Sequence, residues 1–128
     1  VHARDQVDGN LARRRLGLYA LGYQVLDAAG QPLPGFQQPR MTLEFNRMPP
    51  QRDAVLHAYG PDSGITIHGS AVTRCQYLVT NTVRDGRMEA GRWAVTDLPA
   101  GDYRVRISAR DWHGNIATGT RDLAVRLR

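Results

Sequence analysis

The sequence predicts an all-β protein, a β-sandwich of about seven antiparallel strands. Two observations carry that prediction. Apolar and polar residues alternate along most of the chain, which is the period of a half-buried strand. These segments are short and are divided by turns rich in Gly, Pro and Asp, at the spacing of an all-β fold. No helix longer than two turns is predicted anywhere. The 128 residues suit one domain with one core, so residues 1–128 are expected to form a single unit.

"VHARD" (Val1 to Asp5) reads as the remnant of a first strand, and "NLARRRL" as a solvated basic loop after it. "LGLYALGYQVLD" (Leu16 to Asp27) is apolar on both faces, as a central strand should be, and closes at "DAAGQPLPG". In "RMTLEFNR", Met41, Leu43 and Phe45 face inward while Thr42, Glu44 and Asn46 face outward. Between Met48 and Ser70 the pattern weakens. Three prolines fall there, "AVLHAY" fits a short strand or one helical turn, and "GITIHG" fits a short edge strand. An irregular crossing is expected. "TRCQYLVTNTV" (Thr73 to Val83) reads as a longer strand, and Asp85-Gly86 as a hairpin turn after it. Asp102 to Arg110 is the clearest strand: Tyr103, Val105, Ile107 and Ala109 point one way, Arg104, Arg106, Ser108 and Arg110 the other. Leu123, Val125 and Leu127 alternate in the same manner.

The totals exclude several classes. Hydrophobic residues are 41% and charged residues 23%, a globular and not a disordered balance. No apolar run approaches the roughly 18 residues of a membrane-spanning helix. Net charge is +5, and all 17 basic residues are Arg, a bias that reads as genome composition before it reads as Arg chemistry. The single Cys75 permits no intrachain disulfide and alternates with Tyr77 and Val79, so it is expected to be a small buried hydrophobe. The chain opens without Met or a polar lead-in and reads as a segment of a longer protein.

"LPAGDYRVRISARDWHGNIA" (Leu98 to Ala117) resembles the end of an immunoglobulin-like or fibronectin type III-like bacterial domain. The common form is L-P-x-G-x-Y, an alternating strand, then D-x-x-G-N and a final strand. Tyr103 matches the tyrosine of a tyrosine corner, whose hydroxyl bonds back to upstream backbone. A longer run of segments, "VHARDQVDGN", "LGLYALGYQVLDAAG", "FNRMPP", "AYGPDSGI" and "GRWAVTDLPAGDY", is similar to β-sandwich domains attached to lysostaphin-like zinc metallopeptidases of bacteria. That resemblance implies a periplasmic or extracellular location and a cell-wall context. Those enzymes bind zinc through H-x-x-x-D and H-x-H motifs. His2, His57, His68 and His113 satisfy neither spacing, so this segment is not expected to be an enzyme in that manner.

Three sets of residues compete as sites. Asp111, His113 and Asn115 lie in "DWHGN", and Asp5, Asp8, Asp111 and Asn115 together offer oxygens to calcium. The competing and favoured reading is a tight hairpin, with Asp and Asn folded onto their own backbone and Gly114 at positive φ. The second set is the basic face of Arg104, Arg106, Arg110, Arg126 and Arg128, which reads first as a solvated face diluted by Asp102, Asp111 and Asp122, and otherwise as a patch for nucleic acid, anionic lipid or an anionic wall polymer. Too few aromatics accompany it to favour nucleic acid. The third is Trp112 at the hairpin tip. A tryptophan there is expected to pack on the end of the sandwich; an exposed one would instead suggest a carbohydrate or protein contact, while Trp93 is expected in the core. No G-x-S-x-G elbow, phosphate loop or cofactor motif occurs. The expected role is a non-catalytic structural or binding module of an exported bacterial protein; the second reading, which the resemblance implies, is the accessory domain of a cell-wall (murein) metallopeptidase. Its partner would be a protein, an adjacent domain or an anionic wall polymer. The alternative is a subunit of a multi-chain surface assembly held by strand-edge pairing.

Overall fold

The computed structural model describes residues 1–5, 16–68, 74–119 and 121–128. Among these, six strands form one mixed sheet: β1 (Ala20–Asp27), β2 (Arg40–Glu44), β3 (Thr82–Arg84), β4 (Arg87–Glu89), β5 (Gly101–Arg110) and β6 (Asp122–Leu127), in the order β4-β3-β2-β1-β5-β6. Among the described residues, helix is confined to α1 (Ala54–Ala58) and a 3-10 turn at Pro61–Ser63. "AVLHAY" is therefore a helical turn.

β1 is central because both its faces are apolar. Leu21, Tyr23 and Val25 are buried on one side, and Ala20, Gly22 and Leu26 on the other. It pairs along its full length with β5, from Ala20↔Arg110 to Asp27↔Tyr103, and over half its length with β2. The β1–β2 register shifts between Leu21 and Gly22. A side chain at Gly22 would run into the Arg40 carbonyl and lie 2.8 Å from the Met41 Cα. Only glycine allows the two backbones to approach this closely.

Two expectations are corrected. The sheet is mixed and six-stranded among the described residues, whereas about seven antiparallel strands were expected: β2 and β3 pair in parallel, at Leu43↔Val83. A parallel pair needs a crossover, and the chain supplies one through α1 and the stretch leading to β3. The long strand expected over Thr73–Val83 is broken in its described part. Gln76 and Tyr77 bridge to other segments, Asn81 N–H bonds back to the Leu78 carbonyl at 3.1 Å, and only Thr82–Arg84 joins the sheet. The Asp85-Gly86 turn lies where the sequence places it. Both residues are left-handed (φ +53° and +74°) and join antiparallel β3 and β4.

Three short segments complete the core. Tyr77 N–H bonds the Val1 carbonyl at 2.6 Å, Ala3 N–H the Cys75 carbonyl at 3.2 Å, Gly60 N–H the Gln76 carbonyl at 2.9 Å and Leu78 N–H the Ala58 carbonyl at 2.9 Å. Residues 75–78 thus lie between residues 1–3 and 58–60, bridged antiparallel on both sides. Their buried residues Ala58, Cys75 and Tyr77 pack in one cluster with Leu21, Val25, Leu43, Val83, Ile107 and Ala109 of the sheet. The Tyr77 hydroxyl accepts the Leu18 N–H at 2.8 Å, in the buried interior. At the far end, the Tyr103 hydroxyl donates to the Pro99 carbonyl at 2.8 Å, the tyrosine-corner bond.

Candidate functional site

Beyond Arg110 the chain turns back on itself. Arg110 bridges to Ile116, and Asp111 N–H bonds the Asn115 carbonyl at 3.1 Å. The Asp111 carboxylate accepts from the Asn115 backbone N–H at 2.8 Å and from its side-chain amide at 2.7 Å. Gly114 sits at φ +88°, a conformation that a Cβ would strain. Asp111 is thus a turn cap, and the Asn115 amide beside it holds its carboxyl below the usual range.

This turn projects Trp112, which is 73% exposed. Its ring meets Tyr19 edge to face, centroids 4.8 Å apart at 86°. The Arg110 guanidinium lies 5.5 Å from the Tyr19 centroid on the same ring, and the Tyr19 hydroxyl donates to Glu44 at 3.3 Å. Glu44 also takes Arg110 at 3.1 Å and Arg84 at 3.3 Å, with only 14% of its side chain exposed. Tyr19 is consequently braced by two side chains, Arg110 and Glu44, and it braces Trp112.

Beside this pair lies an open groove of about 730 Å³, lined by Asp5, Leu16, Tyr19, Phe45, Trp112 and His113, with Asp111 and Asn115. It joins a flat aromatic surface to a carboxylate, an imidazole and an amide. Three of the four residues considered for calcium, Asp5, Asp111 and Asn115, line it together; Asp8 lies outside the described residues. Among the described residues, no three His, Cys, Asp or Glu side chains group so as to hold a metal ion. Asp111 already spends both oxygens on Asn115.

The arginine set does share one face. Register places Arg104, Arg106 and Arg110 of β5 beside Arg126 of β6, interleaved with Asp102, Asp122 and Glu44. Arg106 forks onto Asp122 at 2.8 and 2.9 Å, and Arg126 onto Asp102 at 2.6 and 3.0 Å. Arg110 is held by Glu44. Arg104 and Arg128 make no ion pair among the described residues. The face is a lattice of alternating charges, and its free positive charge is small.

Trp93 is half-buried and meets Tyr103 edge to face at 6.2 Å, on the rim of the core. Of the histidines, only His113 reaches the groove; the His57 ring lies by the Asp53 carbonyl at 3.4 Å and the His2 ring by Gln76 at 3.4 Å. Cys75 is buried. Sequence reasoning missed Tyr19, Leu16 and Phe45 as groove residues. Each reads as part of an apolar strand pattern, and only the sheet's end geometry separates them from the core. Compared with known proteins, the chain matches no family model, no curated protein and no solved structure.

Proposed function

We propose that this chain is a non-catalytic binding module of an exported bacterial protein, in the setting of an accessory domain to a cell-wall metallopeptidase. Its contact with the wall is the groove beside Trp112, and the ligand is the wall glycan. The observation that carries this reading is the exposed Trp112 ring, braced by Tyr19 and bordered by polar side chains. A large aromatic surface stacks on the C–H face of a sugar ring, while the Asp5, His113 and Asn115 side chains offer acceptors and donors to its hydroxyls. Its one ring contact among the described residues, with Tyr19, leaves most of Trp112 in solvent, so a binding role accounts for that surface better than packing does.

The immunoglobulin-like sandwich belongs to the same proposal. The Tyr103–Pro99 bond and the short ladder of residues 1–3, 75–78 and 58–60 across the core from the sheet support it.

Co-sedimentation with purified murein sacculi tests the reading. The parent chain is expected to pellet with the sacculi, and Trp112→Ala to lose at least about tenfold in affinity, as removal of a stacked aromatic does elsewhere. Trp93→Phe should bind as the parent does. Binding should change little between low and moderate salt, because stacking is unscreened while contact through the arginine face would weaken. Retention of binding by Trp112→Ala, or no binding by the parent, would overturn the proposal.

A further inference from the structure

β6 closes one margin of the sheet. Its pairing with β5 runs unbroken from Gly101↔Leu127 to Arg106↔Asp122, and β5 is its only neighbour among the described strands. Proteins guard a free edge by making it short, by proline, by a bulge or by an inward-pointing charge. The opposite margin is β4, three residues long with Arg87 and Glu89 at its ends. β6 has six residues, no proline and no register shift. On the core face its Leu123 is 51% exposed, with Val125 and Leu127 half-buried. These three continue the apolar row of Tyr103, Val105 and Ile107 past the point where the core covers it.

The open side of the strand can be worked out. Ile107 N–H bonds the Arg121 carbonyl at 2.9 Å, so these two form a hydrogen-bonded pair. Antiparallel pairs alternate. Leu123, Val125 and Leu127 therefore turn their backbone groups toward β5, and Asp122, Ala124 and Arg126 turn theirs outward.

The geometry points to a second copy of this chain as the occupant of that edge: β6 pairs antiparallel with β6 of the other copy, about a two-fold axis at Val125. This register sets Ala124 against Arg126 of the other copy, which bonds the outward backbone groups to one another. It sets Leu123 against Leu127 and Val125 against itself in non-hydrogen-bonded pairs, where side chains come closest. It also brings Arg128, which makes no ion pair among the described residues, up to the Asp122 carboxylate that Arg106 already holds, an opposite charge across the axis. Centring the axis on Ala124 instead would place Leu127 opposite Arg121, an apolar side chain against a charge. The two-fold contact is closed, and the short charged β4 offers no equivalent edge, so assembly stops at two copies. This inference concerns the β6 margin and stands independently of the Trp112 groove.

Light scattering after size exclusion, across a series from low to high micromolar concentration, reads the mass. The parent chain is expected to shift from monomer to dimer. Ala124→Pro removes an outward N–H and spares the β5 ladder, so it should stay monomeric with the parent's circular dichroism. Val125→Cys, on the axis, should form a disulfide-linked dimer on mild oxidation, and Ala124→Cys should not; the parent, with its buried Cys75, is the control. A parent that is monomeric throughout, or a folded Ala124→Pro that still dimerises, overturns the inference. Cross-linking at Ala124→Cys without cross-linking at Val125→Cys does the same. If Ala124→Pro does not fold, the two cysteine variants decide.

Discussion

Tyr77 ties the ladder of residues 75–78 to the chain entering the sheet. Its ring is buried, and its hydroxyl is the acceptor for the Leu18 N–H. Burial, the largest cause, pushes the phenol well above its ordinary range, so it stays neutral in any ordinary buffer. Tyr77→Phe keeps the ring and leaves a buried N–H without an acceptor. The expected loss is about 1–3 kcal/mol of folding stability, measurable by urea denaturation. The exposed carboxylates act differently. Asp102 and Asp122 are held below their ordinary 3.8 first by hydrogen bonds from Arg126 and Arg106, and Asp85 first by Asn46 and then by Arg84. With Asp111, these are groups whose folded value is depressed. Their contribution is fully present above 3.8 and is lost as pH falls through the lower folded values. The melting temperature should therefore fall as pH is taken below about 4, and Arg106→Gln together with Arg126→Gln should flatten that fall.

At the scale of elements, β1 and β5 form the spine, paired from Ala20↔Arg110 to Asp27↔Tyr103. The alternation of β5 was legible in the sequence to the residue, because one face meets core and the other meets solvent, so each position has one acceptable side. β1 was legible as a central strand from its two apolar faces. The register shift at Gly22, where Thr42 of β2 is left without a partner, was not, since a glycine in a strand pattern has several explanations and the close Arg40 backbone is a tertiary fact. Gly22→Ala should cost about 1–3 kcal/mol through forced backbone displacement, read as a lower denaturation midpoint with an unchanged slope. The segment 73–83 shows the opposite failure. Cys75, Tyr77 and Val79 are all buried, as their alternation says. Yet Cys75 is left-handed at φ +47° and a turn follows Leu78. Alternation reports burial, and it does not report whether neighbouring strands are there to continue a ladder.

For the whole molecule, the sheet's two margins and its ends differ in character. One margin is short and charged, and the other is longer, with an apolar row on its core face and paired charges on the opposite face. The Arg110 end carries Trp112, and the end at Pro99 and Tyr103 is pinned by the tyrosine-corner bond. The amino-acid pattern alone determined that the chain is β-rich, which residues are buried along β1 and β5, and where the Asp85-Gly86 and Asp111–Asn115 turns fall. These are local matters of side-chain period and turn chemistry, decided within a few residues of sequence. Tertiary structure decided the rest. It paired β2 with β3 in parallel, because the connection by way of α1 returns the chain to the end of the sheet where β2 begins. It turned the arginine face into a lattice of ion pairs, because register alone sets Arg106 against Asp122 and Arg126 against Asp102. And it brought Tyr19 and Asp5, distant in sequence from Trp112, into one groove, because residues so far apart meet only when the sheet and the bridges at its end have formed.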